Sequence, residues 1–112
     1  MSTTLRPVQS SGSFVHEPAA NTDAVITLTA AGENRHHVLS AVAFSYNGVP
    51  TGALTITDGG TTIFKVHILT KRAYFFSFVP ALRCMANSEV VVTLAAGGSG
   101  VTGCVNVNTW VE

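Results

Sequence analysis

The sequence predicts an all-β fold, with about eight antiparallel strands in a β-sandwich or jelly roll behind an extended N-terminal arm. Three observations lead there. Short runs rich in β-branched and aromatic residues recur along the chain, separated by turn signals about every 8–12 residues. Within most runs apolar and polar residues alternate with period two, the spacing of a strand that buries one face. No window sustains apolar residues at i, i+3, i+4 and i+7, so no helix is predicted.

The elements follow in order. Residues 1–21 are rich in Ser, Thr, Pro and Ala. Pro7 and Pro18 disfavour helix in the residues before them, which makes the segment an extended arm with one short strand, SFVHE (13–17). Residues 22–112 then form a single β-sandwich domain. DAVITLTA (23–30) puts Ala24, Ile26 and Leu28 on one face and Val25, Thr27 and Thr29 on the other. AAGEN (30–34) is a turn. RHHVLSAVAFSY (35–46) places Val38, Val42 and Phe44 near a period of two. NGVPTG (47–52) carries turn formers. ALTIT (53–57) and TTIFKVHI (61–68) flank Asp58-Gly59-Gly60, a hairpin signal. In the second of these runs Ile63, Lys65 and His67 share one face, and Thr62, Phe64, Val66 and Ile68 share the other. LTKR (69–72) is a connection. AYFFSFV (73–79) is a strand that Pro80 ends, and ALRCMANS (81–88) is irregular. EVVVTLAA (89–96), the turn GGSG (97–100) and VTGCVNVNTWV (101–111) complete the chain.

Composition narrows the function. The 112 residues suffice for one domain with one core. Apolar residues make up 46% and charged residues 11%, against about 25% charged in an average soluble protein. Six basic residues balance six acidic ones. A surface this neutral steers poorly toward nucleic acid or anionic membrane, so neither is an expected partner. It also does little to keep copies apart, which suits a protein that works packed against other protein. No apolar run approaches the length of a membrane span. The first residues, MSTTLRPVQSSGSF, lack an apolar signal core, so a product made in the cytoplasm and released by lysis is expected. Cys84 and Cys104 read as thiols rather than a disulfide in that compartment.

Candidate chemistry is sparse. His36 and His37 are adjacent, and on a strand adjacent side chains point to opposite faces, so the pair is unsuited to gripping one ion. Asp23 and Asp58 stand beside turns, where aspartate commonly bonds backbone amides. GGSG lacks the Lys-Ser/Thr and the following helix of a phosphate loop, and no G-x-S-x-G elbow occurs. No catalytic residue, metal ligand or cofactor is therefore expected, and the protein reads as non-enzymatic. YFFSFVPAL (74–82) is the unusual stretch. Tyr74, Phe76 and Phe78 share one face while Phe75, Ser77 and Val79 share the other, and both faces are largely apolar. A sandwich strand that meets water has a polar outer face. One face of this strand is thus expected in a protein interface, where Tyr and Phe are enriched.

RHHVLSAVAFSYNGVPTGALTITDGGTTIFKVHI (35–68), the aromatic strand ending in Pro, and NSEVVVTLAAGGSGVTGCVNV (87–107) together resemble a group of small β proteins from tailed-phage virions. The resemblance spans roughly residues 20–107 and brings no catalytic residues. It implies a capsid decoration or cement protein on the virion surface. The implied partners are the major capsid protein and further copies of the chain, as a homotrimer. Arg6, Val8, Phe14 and Val15 on the arm, with Tyr74, Phe76 and Phe78, are the expected interface residues. Lys71-Arg72 and Arg83-Cys84-Met85 depart from the pattern as richer loops and are candidate contacts of their own. The rival reading is a head-fibre, tail or host-glycan-binding module in which Trp110, Tyr46 and Tyr74 stack on sugar.

Overall fold

The computed structural model describes residues 11–50 and 52–112. Eight strands are formed: β1 (Ser11–His16), β2 (Ala24–Leu28), β3 (His36–Tyr46), β4 (Ala53–Asp58), β5 (Thr61–His67), β6 (Tyr74–Ala86), β7 (Val90–Leu94) and β8 (Gly103–Val111). Among the described residues no helix is long and apolar enough to cross a membrane. The strands make two antiparallel four-stranded sheets, ordered β1-β8-β3-β6 and β2-β7-β4-β5. Consecutive strands thus mostly belong to different sheets or are separated within one, the interleaving of a double-sheet jelly roll. The one hairpin of adjacent strands, β4–β5, turns at Gly59 and Gly60, both with positive φ, where a Cβ would be strained.

Alternation along each strand builds the core. Ala24, Ile26 and Leu28 from β2, Leu54 and Ile56 from β4, Val90, Val92 and Leu94 from β7, and Val105 and Val107 from β8 all face the space between the sheets and are buried. On β3 the predicted period fails once. A bulge at Ser40 shifts the register between Leu39 and Ala41, so Leu39, Val42, Phe44 and Tyr46 point inward. Val38 pairs with Trp110 on the outer face instead, and it is buried there. One inserted residue moves everything beyond it to the opposite face.

The short strand expected in the N-terminal segment forms as β1, since Ser11–His16 pairs along β8 in register from Ser11↔Trp110 to His16↔Val105. One expectation about the segments changes. Pro80 does not end the aromatic strand. Chain 81–86, expected to be irregular, continues β6, with Leu82↔Leu39, Arg83↔Val38 and Ala86↔His36 in the ladder. Between Ser77 and Leu82 the ladder is interrupted opposite the β3 bulge, and Val79–Pro80, a cis peptide, sits in that interruption. Proline has no amide to donate, so an edge strand tolerates it at a bulge. The long partner β3 offers pairing on both sides of the gap.

Polar links tie the two sheets at their ends. At one end the Asp58 carboxylate of β4 accepts Ser88 Oγ at 2.5 Å and the Met85 amide at 2.9 Å. At the same end His37 Nε2 donates to the Thr29 carbonyl at 2.6 Å. At the other end Tyr46 Oη donates to the Ala95 carbonyl at 2.6 Å. The Tyr46 ring lies among glycines, since a Cβ on Gly97 would stand 2.7 Å from its Cδ1 and one on Gly103 3.1 Å from its Cε1.

Asp58→Ala removes two charge-assisted hydrogen bonds from a buried position and is expected to lower unfolding free energy by about 2–3 kcal/mol in urea denaturation. Ser88→Ala is expected to lose less, and an unchanged midpoint in both variants would show the link to be idle. Gly97→Ala, which forces Tyr46 to shift, is expected to destabilise by about 1–3 kcal/mol in the same assay.

Candidate interaction surface

The titratable side chains are dispersed. His36 and His37 diverge as strand neighbours should. His36 Nδ1 donates to the Cys84 carbonyl at 2.8 Å, while His37 turns to Thr29. His16 Nδ1 accepts the Val25 amide at 2.9 Å and ties β1 to β2. His67 is exposed on β5. Among the described residues, no three His, Cys, Asp or Glu side chains gather where they could hold a metal ion. Asp23 accepts the Ala96 amide at 2.7 Å, so both aspartates bond backbone amides. Cys84 and Cys104 are free thiols. Cys84 is buried in the core, while Cys104 pairs with Ser45 on the outward side of β8.

The three aromatics proposed to stack on sugar are not brought together. Tyr46 is buried and faces inward, which corrects its assignment as a stacking residue. Tyr74 faces inward from β6, its ring stacked on Phe44 at 5.3 Å, its hydroxyl 2.6 Å from Thr70 Oγ1 and the Arg72 guanidinium 5.9 Å from its centroid. Trp110 alone lies on an outer face, half-buried, with Nε1 donating to Glu112 Oε2 at 3.2 Å. Glu112 also pairs with Arg83 at 3.1 Å.

The aromatic strand divides its two faces unequally. Tyr74, Phe76 and Phe78 point toward the opposite sheet. Phe76 stacks on Phe44 at 5.9 Å, and Phe64 of β5 meets Phe76 and Phe78 edge-on at 5.6 and 5.1 Å. Strands β5 and β6 are the last strands of their sheets on the same side of the sandwich. There the inward residues Phe64, Val66, Tyr74, Phe76, Phe78 and Leu82 are only partly covered. The other row of β6 is open, with Phe75 67% and Val79 90% exposed. Alternation alone separates these two rows but does not say which one meets the core. The inward partners Phe44 and Phe64, on other strands, decide it. Of the expected interface residues on the N-terminal segment, Phe14 and Val15 are exposed on β1. Arg6 and Val8 lie outside the described residues.

The sheet surfaces carry almost no charge. Asp58, Lys65 and Arg83 are the only ionic residues within the eight strands. Asp58 is buried. Across the outside of the first sheet one row runs Val15, Asn106, Ala43, Phe75 and the next Ser13, Asn108, Ala41, Ser77. On the second sheet the corresponding row is Val25, Thr93, Thr55, Lys65.

No protein-family model matches the sequence, and no curated protein matches it. Among solved structures the chain is similar to the carbohydrate-binding module CBM36 in complex with calcium and xylotriose. That match has 17% identity, covers 86% of this chain and 76% of the other, and has a TM-score of 0.38. A family 35 carbohydrate binding module from an environmental isolate is similar at 14% identity, covering 85% and 69%, with a TM-score of 0.44. The Tobacco streak virus coat protein is similar at 8% identity, covering 93% and 89%, with a TM-score of 0.34. These are low-identity likenesses.

Two buried groups resist ionisation. Burial, helped by the Asp58 charge, pushes the Cys84 thiol from 9.0 up to about 11. Burial, helped by the Asp23 charge, pushes the Tyr46 phenol from 10.0 up to about 12. Both folded values exceed the unfolded ones, so their contribution to stability is complete below about pH 9 and is lost as pH rises toward 11 and 12. Urea midpoints are expected to hold from neutral pH to about pH 9 and then fall, less steeply in Cys84→Ala. At pH 8 one thiol, Cys84, is expected to stay unreactive toward a thiol reagent until urea unfolds the chain. Rapid labelling of both thiols in the folded protein would contradict its burial.

Proposed function

We propose that the protein is a non-enzymatic structural component of a phage virion, a capsid decoration protein that binds the head by protein–protein contact. The observation that carries this reading is the half-covered aromatic row between β5 and β6, in a molecule whose strands hold almost no charge. A lone sandwich leaves such rings partly wet, and covering them with another polypeptide gains apolar burial without stripping water from ions. The jelly-roll order supports it by analogy, because capsid proteins are among the users of that architecture, alongside lectins. The exposed Phe14 of β1 and the residues that precede it, Arg6 and Val8 among them, add a second contact with the capsid lattice.

In this reading the major capsid protein is the partner and the virion surface the location. The head-fibre, tail or glycan-binding alternative rests on Trp110, which stands on the outer face beside the Arg83–Glu112 pair. Trp110→Ala separates the two, since it removes glycan binding if that is the role and leaves capsid binding intact.

Co-sedimentation with heads assembled from the major capsid protein of the same phage tests the proposal. The chain is expected to bind in hundreds of copies per head and to raise the temperature at which the heads come apart. Phe78→Ala, with folding checked by circular dichroism, is expected to weaken binding about tenfold or more. A folded protein that stays in the supernatant at all concentrations would sink the proposal.

A further inference from the structure

The balanced charge of the chain hides a separation. Residues 65–72 hold Lys65, His67, Lys71 and Arg72 and no carboxylate. All four are exposed, Lys65 and His67 on the outer face of β5, Lys71 and Arg72 in the connection from β5 to β6. Among the described residues the one ion pair is Arg83–Glu112, so Lys65, Lys71 and Arg72 have no carboxylate partner within the chain. Glu17 and Asp23 stand between β1 and β2, the last strands on the opposite side of the sandwich. The basic connection is tied to the end of the aromatic row. Thr70 Oγ1 and Tyr74 Oη are 2.6 Å apart, and the Arg72 guanidinium lies 5.9 Å from the Tyr74 ring centroid. Unpaired cations thus border the half-covered rings Phe64, Phe76 and Phe78.

We infer that the free edge of β5 takes an extended polypeptide segment in which apolar and acidic residues alternate. Under the capsid reading above, on which this assignment rests, the segment belongs to the major capsid protein. β5 ends its sheet, so its outer edge has backbone groups without a ladder partner, and such an edge binds an extended chain by strand addition. From Phe64 to His67 it runs in regular register along β4. The edge of β6 is broken at Val79–Pro80, where a proline has no amide to offer. Side chains of an added strand alternate between two faces as those of β5 do. One set lies inward beside Phe64 and Val66 and covers the rings. The other lies outward beside Lys65 and His67, toward Lys71 and Arg72. Carboxylates in the outward set gain cross-strand ion pairs, whereas lysines there meet like charge. The same rule opposes a second β5, whose outward row is also basic. Single-stranded nucleic acid shares the attraction to cations but needs open ring faces on which to stack. Here Phe44 stacks on Tyr74 and Phe76, and Phe64 packs edge-on against Phe76 and Phe78.

Fluorescence anisotropy of the full chain tests this with two labelled peptides of about ten residues, one alternating valine with glutamate and one valine with lysine. The glutamate peptide is expected to bind about tenfold or more tightly than the lysine one, and to weaken severalfold as NaCl rises from about 0.05 to about 0.3 M. Lys65→Glu, and Lys71→Glu combined with Arg72→Glu, all at exposed positions, are each expected to weaken it about tenfold or more. Arg35→Glu, at an exposed cation between β2 and β3, is expected to leave it unchanged. No preference between the peptides, a single-stranded DNA oligonucleotide bound as tightly as the glutamate peptide, or binding indifferent to both charge reversals overturns the inference. Head binding is scored separately. Heads bound equally by the wild-type and reversed chains leave the capsid role standing and overturn the acidic strand. A glutamate peptide bound by a chain that ignores heads keeps the edge site and sinks the capsid role.

Discussion

One layer of side chains between two sheets carries this structure. Neither sheet can exist without it, because each buries its apolar row only against the other. The layer is made of branched aliphatic residues in the middle strands β7, β4 and β8, and it gives way to rings toward β5 and β6. Because the layer is non-directional, it does not by itself fix how the sheets slide past each other. The directional groups sit at its ends. Asp58 and His37 hold one end and Tyr46 holds the other, each reaching from one sheet to a backbone group or hydroxyl tied to the opposite one. Directional hydrogen bonds at the rim of an apolar layer specify one arrangement among several that would bury similar area.

The same economy of charge that leaves the core undisturbed shapes the surface. Among the described residues, most of the ionic ones lie outside the strands and are exposed there. The sheet faces are left to Ser, Thr, Ala, Asn and Val. Two kinds of surface result. One is the partly open side along β5 and β6, where rings belonging to the core extend to the solvent boundary. The other is the flat outside of the first sheet, neutral and small in its centre. Rings at an open side suit a partner that inserts apolar groups.

Much of this was legible from particular residues. The alternation in β2 and β4 named the buried and exposed rows correctly, and in β5 it set Phe64 and Val66 inward and Lys65 and His67 outward, but a register shift opposite Ile56 and Thr57 takes Thr62 off the Phe64 face. The adjacent histidines diverge as strand geometry requires, and both aspartates bond amides beside turns. The failures have local physical causes. Val38 changed faces because Ser40 is an extra residue that alternation does not register. Chain 81–86 stayed extended because a long neighbour supplied hydrogen bonds beyond a proline that ends a strand read in isolation. Tyr46 looked like a surface aromatic, yet Gly52 and, from a distant stretch, Gly97 and Gly103 close around it.

The sequence by itself determined the class of fold, the number of strands, the turns between them and the neutrality of the surface. These follow from properties each segment carries alone: period-two patterning, turn residues and charge. The tertiary structure decided the strand order, the side of β6 that meets the core, the partners of the histidines and the ring that the glycines enclose. Each of these depends on which distant segment comes to lie opposite, and a strand's own residues hold no record of its neighbour.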